Sequence, residues 1–177
     1  MALNEIGEMT LKNMREGNLL SDDFVIDENL LYEYVKIYDF NVSRMKSKNN
    51  GKYDKFFTRK MAGLTLHNEL LKSGHTFKTC KSGFVYFITN PAWPKHTKVG
   101  LCMDVHNRIK SYQTYDPFRS YKLECYEFVC DRRKYEKIIL DEFQVNSSRG
   151  EWVPHSKSLH MIRFVRNLIS KESKYFD

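Results

Sequence analysis

Two stretches decide the reading of this chain: Gly83-Phe84-Val85-Tyr86-Phe87-Ile88-Thr89-Asn90 and, after a short loop, Thr97-Lys98-Val99-Gly100. Each is an apolar run rich in β-branched and aromatic residues, with a glycine at one end. The connection Asn90-Pro91-Ala92-Trp93-Pro94-Lys95-His96 is built from turn formers. Strand, turn loop, strand is the signature of a β-hairpin. Tyr86 and Lys98 put one polar group able to meet phosphate on each strand.

Outward from the hairpin, the texture from Lys81 onward alternates between strands and helices. Asp104 can cap a helix that runs to about Tyr112 or Tyr115, with Val105, Ile109 and Tyr112 on one face. Tyr121 to Cys130 alternates as a third strand. A helix from Asp131 to about Val145 turns Tyr135, Ile138, Ile139 and Phe143 inward. Gly150-Glu151-Trp152-Val153-Pro154 reads as a short extended piece. A last helix from about Ser156 to Ile169 carries Met161, Phe164, Val165 and Leu168 at helical spacing.

The first 80 residues read as helices and loops. Asp27 is the expected N-cap of a helix whose apolar face is Leu30, Leu31, Tyr34, Val35, Ile37 and Tyr38. A basic, turn-rich segment covers residues 40–52. A second helix is expected from Tyr53 to Leu71, packing through Phe56, Phe57, Met61, Leu64 and Leu71 and ended by Ser73-Gly74. The fold class is therefore α/β (α+β): a small three-stranded antiparallel sheet flanked by helices, preceded by a helical region. The domain division is 1–80 and 81–177.

The chain has 177 residues, 41% hydrophobic and 14% aromatic, enough for one full domain and a small appendage. No apolar run approaches the roughly 20 residues of a membrane span. The first residues lack the layout of a signal peptide. A soluble, cytoplasmic protein with no membrane partner is the expectation. Cys80, Cys102, Cys125 and Cys130 form no CxxC pair and are read as reduced packing groups rather than a disulfide frame or a zinc site.

Charge is unevenly spread. Residues 1–39 hold three basic and nine acidic residues, residues 40–81 ten basic and two acidic, and residues 82–177 sixteen basic and eleven acidic, within a net charge of +7. A basic middle behind an acidic lead suggests a surface that meets a polyanion, and lysines that merely solubilise a helix are the plainer alternative.

Downstream of the hairpin lie Arg108, one helical turn before Tyr112, and a lone acid before an aromatic, Glu151-Trp152. A tyrosine, a lysine, an arginine and a carboxylate suffice to cut a phosphodiester with one metal ion. With these residues in this order, residues 83–169, about half the chain, resemble a GIY-YIG nuclease domain of the phage T5 Orf172-like branch. The segments carrying the resemblance are Gly83 to Ala92, Lys98-Val99-Gly100-Leu101, Arg108, and Gly150-Glu151-Trp152-Val153.

The resemblance implies a role for each site residue. Tyr86 stands where the family has its first-motif tyrosine, as general base or proton relay. Lys98 replaces the second-motif tyrosine and would steady phosphate or phenolate. Arg108 would address the scissile phosphate, its planar fork suiting two phosphate oxygens. Tyr112 matches a position that carries histidine or tyrosine. Glu151 would bind one Mg²⁺ or Mn²⁺ ion per active site. Gly83 and Gly100 are read as serving backbone conformation.

These assignments imply a metal-dependent DNA endonuclease of phage or mobile-element type, with site-directed, homing-like cutting, as a monomer or homodimer. The basic stretch carrying Arg44, Lys46, Lys48, Lys52, Lys55, Arg59 and Lys60 would grip DNA phosphates. The rival reading is a non-catalytic DNA-binding protein that keeps the fold.

Overall fold

Among the described residues of 1–80, three helices form, each where a local signal or a packing partner supports it. The computed structural model describes residues 2–44, 55–143, 151–174 and 176. Helix α1 spans Ala2–Glu16 and α2 spans Glu28–Arg44. Asp27 starts α2 as expected, its Oδ1 accepting the Leu30 N–H at 2.8 Å. Helix α1 was not anticipated; it buries Ile6, Thr10, Leu11 and Met14 against a mostly polar outer face. Thr10, Asn41 and Asn13 tie α1 to α2, with Asn41 Nδ2 donating to Thr10 Oγ1 at 3.1 Å and Asn13 Nδ2 to Asn41 Oδ1 at 3.2 Å.

Helix α3, Lys55–Lys72, corrects the packing expected of it. Phe57 and Leu71 are exposed, while Thr58, Arg59, Ala62, Gly63, Leu66, His67 and Leu70 face inward. The inward face includes small and polar residues, so a search for large apolar side chains misplaces it. Arg59 is buried there by an ion pair with Glu28. Gly74 closes the segment at φ 86°, a left-handed turn that glycine adopts without strain.

The chain divides into two compact units, residues 1–80 with 170–177, and residues 81–169. The second unit is built on strands β1 (Gly83–Thr89), β2 (His96–Cys102), β3 (Lys122–Val129) and β4 (Trp152–Pro154). All neighbours are antiparallel, in the order β3-β1-β2-β4. The sheet thus has four strands rather than three. The segment expected as an extended piece pairs with β2, matching Thr97 to Val153 and Lys98 to Trp152.

Strand β1 lies inside the sheet, and Phe84 to Ile88 are all at most 2% exposed. Such a run, buried on both faces, reads as continuously apolar rather than alternating. Helix α4 (Val105–Thr114) follows the Asp104 cap, and α5 (Arg132–Glu142) follows Asp131, whose side chain accepts the Lys134 N–H. Within α5, Tyr135 and Ile139 are buried. A single 3₁₀ turn, His155–Lys157, leads into α6, Ser158–Glu172, which buries Met161, Val165 and Ile169. Among the described residues, no helix is long and apolar enough to cross a membrane.

Candidate active site

Antiparallel register places Tyr86 opposite Gly100 and Ile88 opposite Lys98, so these side chains emerge on one face of the sheet. The reading of Gly100 as a conformational glycine is corrected: it has no left-handed φ, and what it supplies is space. A Cβ there would stand 2.3 Å from the Tyr86 hydroxyl oxygen and 2.4 Å from Cζ. The missing side chain is the slot in which the phenol lies. Gly83 does serve conformation, with φ 155° and a would-be Cβ 2.6 Å from the Cys102 carbonyl oxygen.

Tyr86 is 2% exposed, and its hydroxyl lies 3.1 Å from that of Tyr112 on α4. Burial, then the Tyr112 hydroxyl, hold the Tyr86 phenol far above its ordinary pKa, and the Arg108 guanidinium partly opposes them. The phenol therefore keeps its proton at neutral pH. The cation that eases its ionisation is Arg108 rather than Lys98. Arg108 is exposed on α4, and among the described residues no ion pair engages it.

Lys98 is committed elsewhere: its Nζ donates to Glu151 Oε2 at 2.7 Å and sits 5.7 Å from the centroid of the Trp152 ring. Glu151 is pinned where β4 meets β2, its carbonyl accepting the Val99 N–H at 2.9 Å. Its side chain nonetheless remains 42% exposed. Glu136 on α5 is a further acid near this pair. Its carboxyl is held above the ordinary glutamate value, first by burial and then by the charge of Glu151, with Lys98 opposing. Helical spacing marks Glu136 only as a flank of the buried Tyr135, so nothing in the sequence separates it from other helix acids.

One member of each pair, Tyr112 and Lys98, lines a cleft of about 630 Å³ together with Trp93, His96, Tyr121 and Trp152. Tyr86 and Glu151 stand behind these two, each one hydrogen bond from a lining residue.

The cations expected to grip DNA divide differently. Lys55 is exposed and Lys60 half-buried, whereas Arg59 is 2% exposed against Glu28 and is withdrawn from any phosphate. Arg44 is the last residue of α2; Lys46, Lys48, Lys52 and Gly150 lie outside the described residues. Arg132 is buried, donating to the Ser82 carbonyl at 2.6 Å, and Arg166 pairs with Glu127 at 2.9 Å. His155 receives or donates a bond with Thr97 Oγ1 at 2.9 Å.

Residues 83–167 match the family model of the T5orf172 domain, which spans every site residue named on this sheet and its helices. No curated protein and no solved structure matches the chain.

Proposed function

We propose that residues 81–169 form a metal-dependent DNA endonuclease of GIY-YIG type, directed to its target by the region before it. The T5orf172 domain is associated with endonuclease-like proteins, which supports the class of reaction. The observation that supports the reading is that Tyr112 and Lys98, hydrogen-bonded respectively to Tyr86 and Glu151, line one cleft.

Water attacks phosphorus, oriented by the Tyr112 hydroxyl, and releases its proton to solvent. The bond from phosphorus to the departing oxygen breaks, and that oxygen takes a proton from solvent. Tyr86, neutral and buried, orients the Tyr112 hydroxyl and is not a resident base. Arg108 and Lys98 balance the charge that grows on the phosphoryl oxygens.

Glu151 fits a hydrated divalent ion: it is an accessible carboxylate with a second acid, Glu136, close enough to feel its charge. Among the described residues no three His, Cys, Asp or Glu side chains cluster as a closed metal cage. One carboxylate suits Mg²⁺ or Mn²⁺, which keeps waters and takes phosphate oxygens as its other ligands. When bound, such an ion supplies charge to screen the leaving oxygen. Lys55 and Lys60 would hold flanking phosphates of the target.

The test is nicking of supercoiled plasmid with Mg²⁺ or Mn²⁺, beside Glu151→Gln and Arg108→Ala. Cleavage should fall at least about a hundredfold in each, the order of loss when an oxyanion donor is removed. Equal cutting by the variants, or none by the parent with any divalent metal, overturns the proposal.

A DNA-binding protein without turnover is the second reading. One observation favours it: Lys98 already neutralises the carboxylate that a metal would need. It requires DNA binding that ignores EDTA and weakens with salt by about 0.9 logarithmic units per released counterion.

A further inference from the structure

The cleft carries more aromatic surface than phosphoryl transfer requires. Trp93, Tyr121, Tyr112 and Trp152 come from the β1–β2 loop, the residue before β3, α4 and β4, separate segments of the sequence. Their rings form a continuous series: centroids lie 5.4 Å apart for Trp152–Trp93, 6.3 Å for Trp93–Tyr121 and 5.1 Å for Tyr121–Tyr112. These rings are not a sealed core. Trp93 is 48% exposed, and Tyr121 and Trp152 are half-buried.

The walls are held in place before any ligand arrives. Asn90 Oδ1 accepts the Ala92 N–H at 2.8 Å, and the Asn90 carbonyl accepts the Trp93 N–H at 2.9 Å. Asn90 Nδ2 donates to Asp116 at 3.0 Å, and Asp116 also accepts the N–H groups of Phe118 and Ser120. The Gln113 side chain clamps both backbone groups of Tyr121. Such fixed, open aromatic walls suit a flat π-surface, because every nucleobase presents a face that stacks and preorganised walls lose little entropy. A cleft of about 630 Å³ falls in the size range of small-molecule sites.

Charge selects among flat ligands. Lys98 lines the cleft as one half of a neutral pair with Glu151, so the uncompensated positive charge near the rings comes from Arg108, exposed one turn from Tyr112, and it favours an anion. We infer that this cleft receives an unpaired nucleobase of DNA, stacked among Trp93, Tyr121 and Trp152 and adjoining the phosphate held by Lys98 and Arg108. The inference rests on the DNA-cleaving reading for its substrate, and extends it: the preferred DNA carries single-stranded or unpaired nucleotides beside the cut. A base inside an intact duplex has no free face, and extruding it costs unstacking energy.

The test uses the full chain in EDTA, so turnover plays no part. The protein has two tryptophans, and both line the cleft, so intrinsic indole emission reports its occupancy directly. Titration with oligo(dT) should quench that emission saturably, while a blunt hairpin duplex of equal length should bind more weakly and quench little. Trp93→Ala should weaken oligo(dT) binding roughly 10- to 100-fold, and Trp93→Phe should restore most of it. Since Trp93 lies half in solvent, far-UV circular dichroism of both variants should match the parent.

Emission unchanged while labelled oligo(dT) binds overturns the inference, as does equal quenching by the duplex. So does quenching by thymidine monophosphate at the same nucleotide concentration, which would make the cleft a free-nucleotide site. Loss of plasmid cleavage with these binding results intact would sink catalysis alone.

Discussion

Two carboxylates of the sheet domain each bond a cation at less than 3 Å, yet they do opposite work. Glu127 is 2% exposed and receives Arg166 of α6 at 2.9 Å. Glu151 receives Lys98 at 2.7 Å, but 42% of its side chain meets solvent. In the first pair the carboxylate is buried while Arg166 stays 39% exposed, and the pair bears on folding. The second lies at the sheet edge, where water and ligands compete for both partners and its value to stability is small. Equal bond lengths say little about role; accessibility separates them.

Substitutions sharpen that contrast, and the largest effect falls on activity. Glu151→Gln should remove metal-dependent nicking by about a hundredfold or more while shifting the melting temperature little, measured on one preparation. Arg166→Met should do the reverse. Losing the Arg166 bond to the buried Glu127 carboxylate costs on the order of 2 kcal/mol in urea unfolding, with cleavage per folded molecule retained. A variant pair in which both properties fall together would erase the distinction.

Gly100→Ala probes the slot that sets Tyr86. Its Cβ would enter the space of the phenol, so overpacking of about 2 kcal/mol is expected. The same change in a Tyr86→Leu background should cost less, because the colliding ring is gone. Additive costs in the double-mutant cycle would show that the two residues do not share this space.

The smallest effect concerns Glu136. Its folded pKa is raised, so the native state holds that proton more tightly than the unfolded chain. Stability from this group is present at low pH and declines as pH climbs from the ordinary glutamate range through the raised value. Glu136→Gln should therefore raise the melting temperature slightly at pH 7 and leave it unchanged near pH 3, followed by thermal unfolding across that range.

Much of the sheet domain is legible in residue order because its signals are local. The bounds of β1, the caps at Asp27 and Asp104, and the inward Tyr135 and Ile139 follow from runs, caps and spacing a few residues long. What escapes depends on partners distant in sequence. Strand β4 has three residues and exists by pairing with β2. Arg59 turns inward because Glu28 waits there, and a polar helix such as α1 becomes a packed element only beside α2.

The candidate site divides along the same line. The resemblance names its side chains, but the commitment of Lys98 to Glu151, the slot at Gly100 and the nearness of Glu136 arise from register and packing. The aromatic cleft has no local pattern at all, since its rings come from four separate segments.

The ammonium of Lys98 and the carboxylate of Glu151 begin as each other's counterion, so a guest ion on either one competes with a charge already in place. An incoming anion that draws away the lysine bares the acid for a cation, and a cation on the acid releases the lysine for an anion. Each guest lowers the cost of admitting the other by the same amount, as linkage demands. A charge-neutral lock of this kind answers weakly to either salt component alone and strongly to both together.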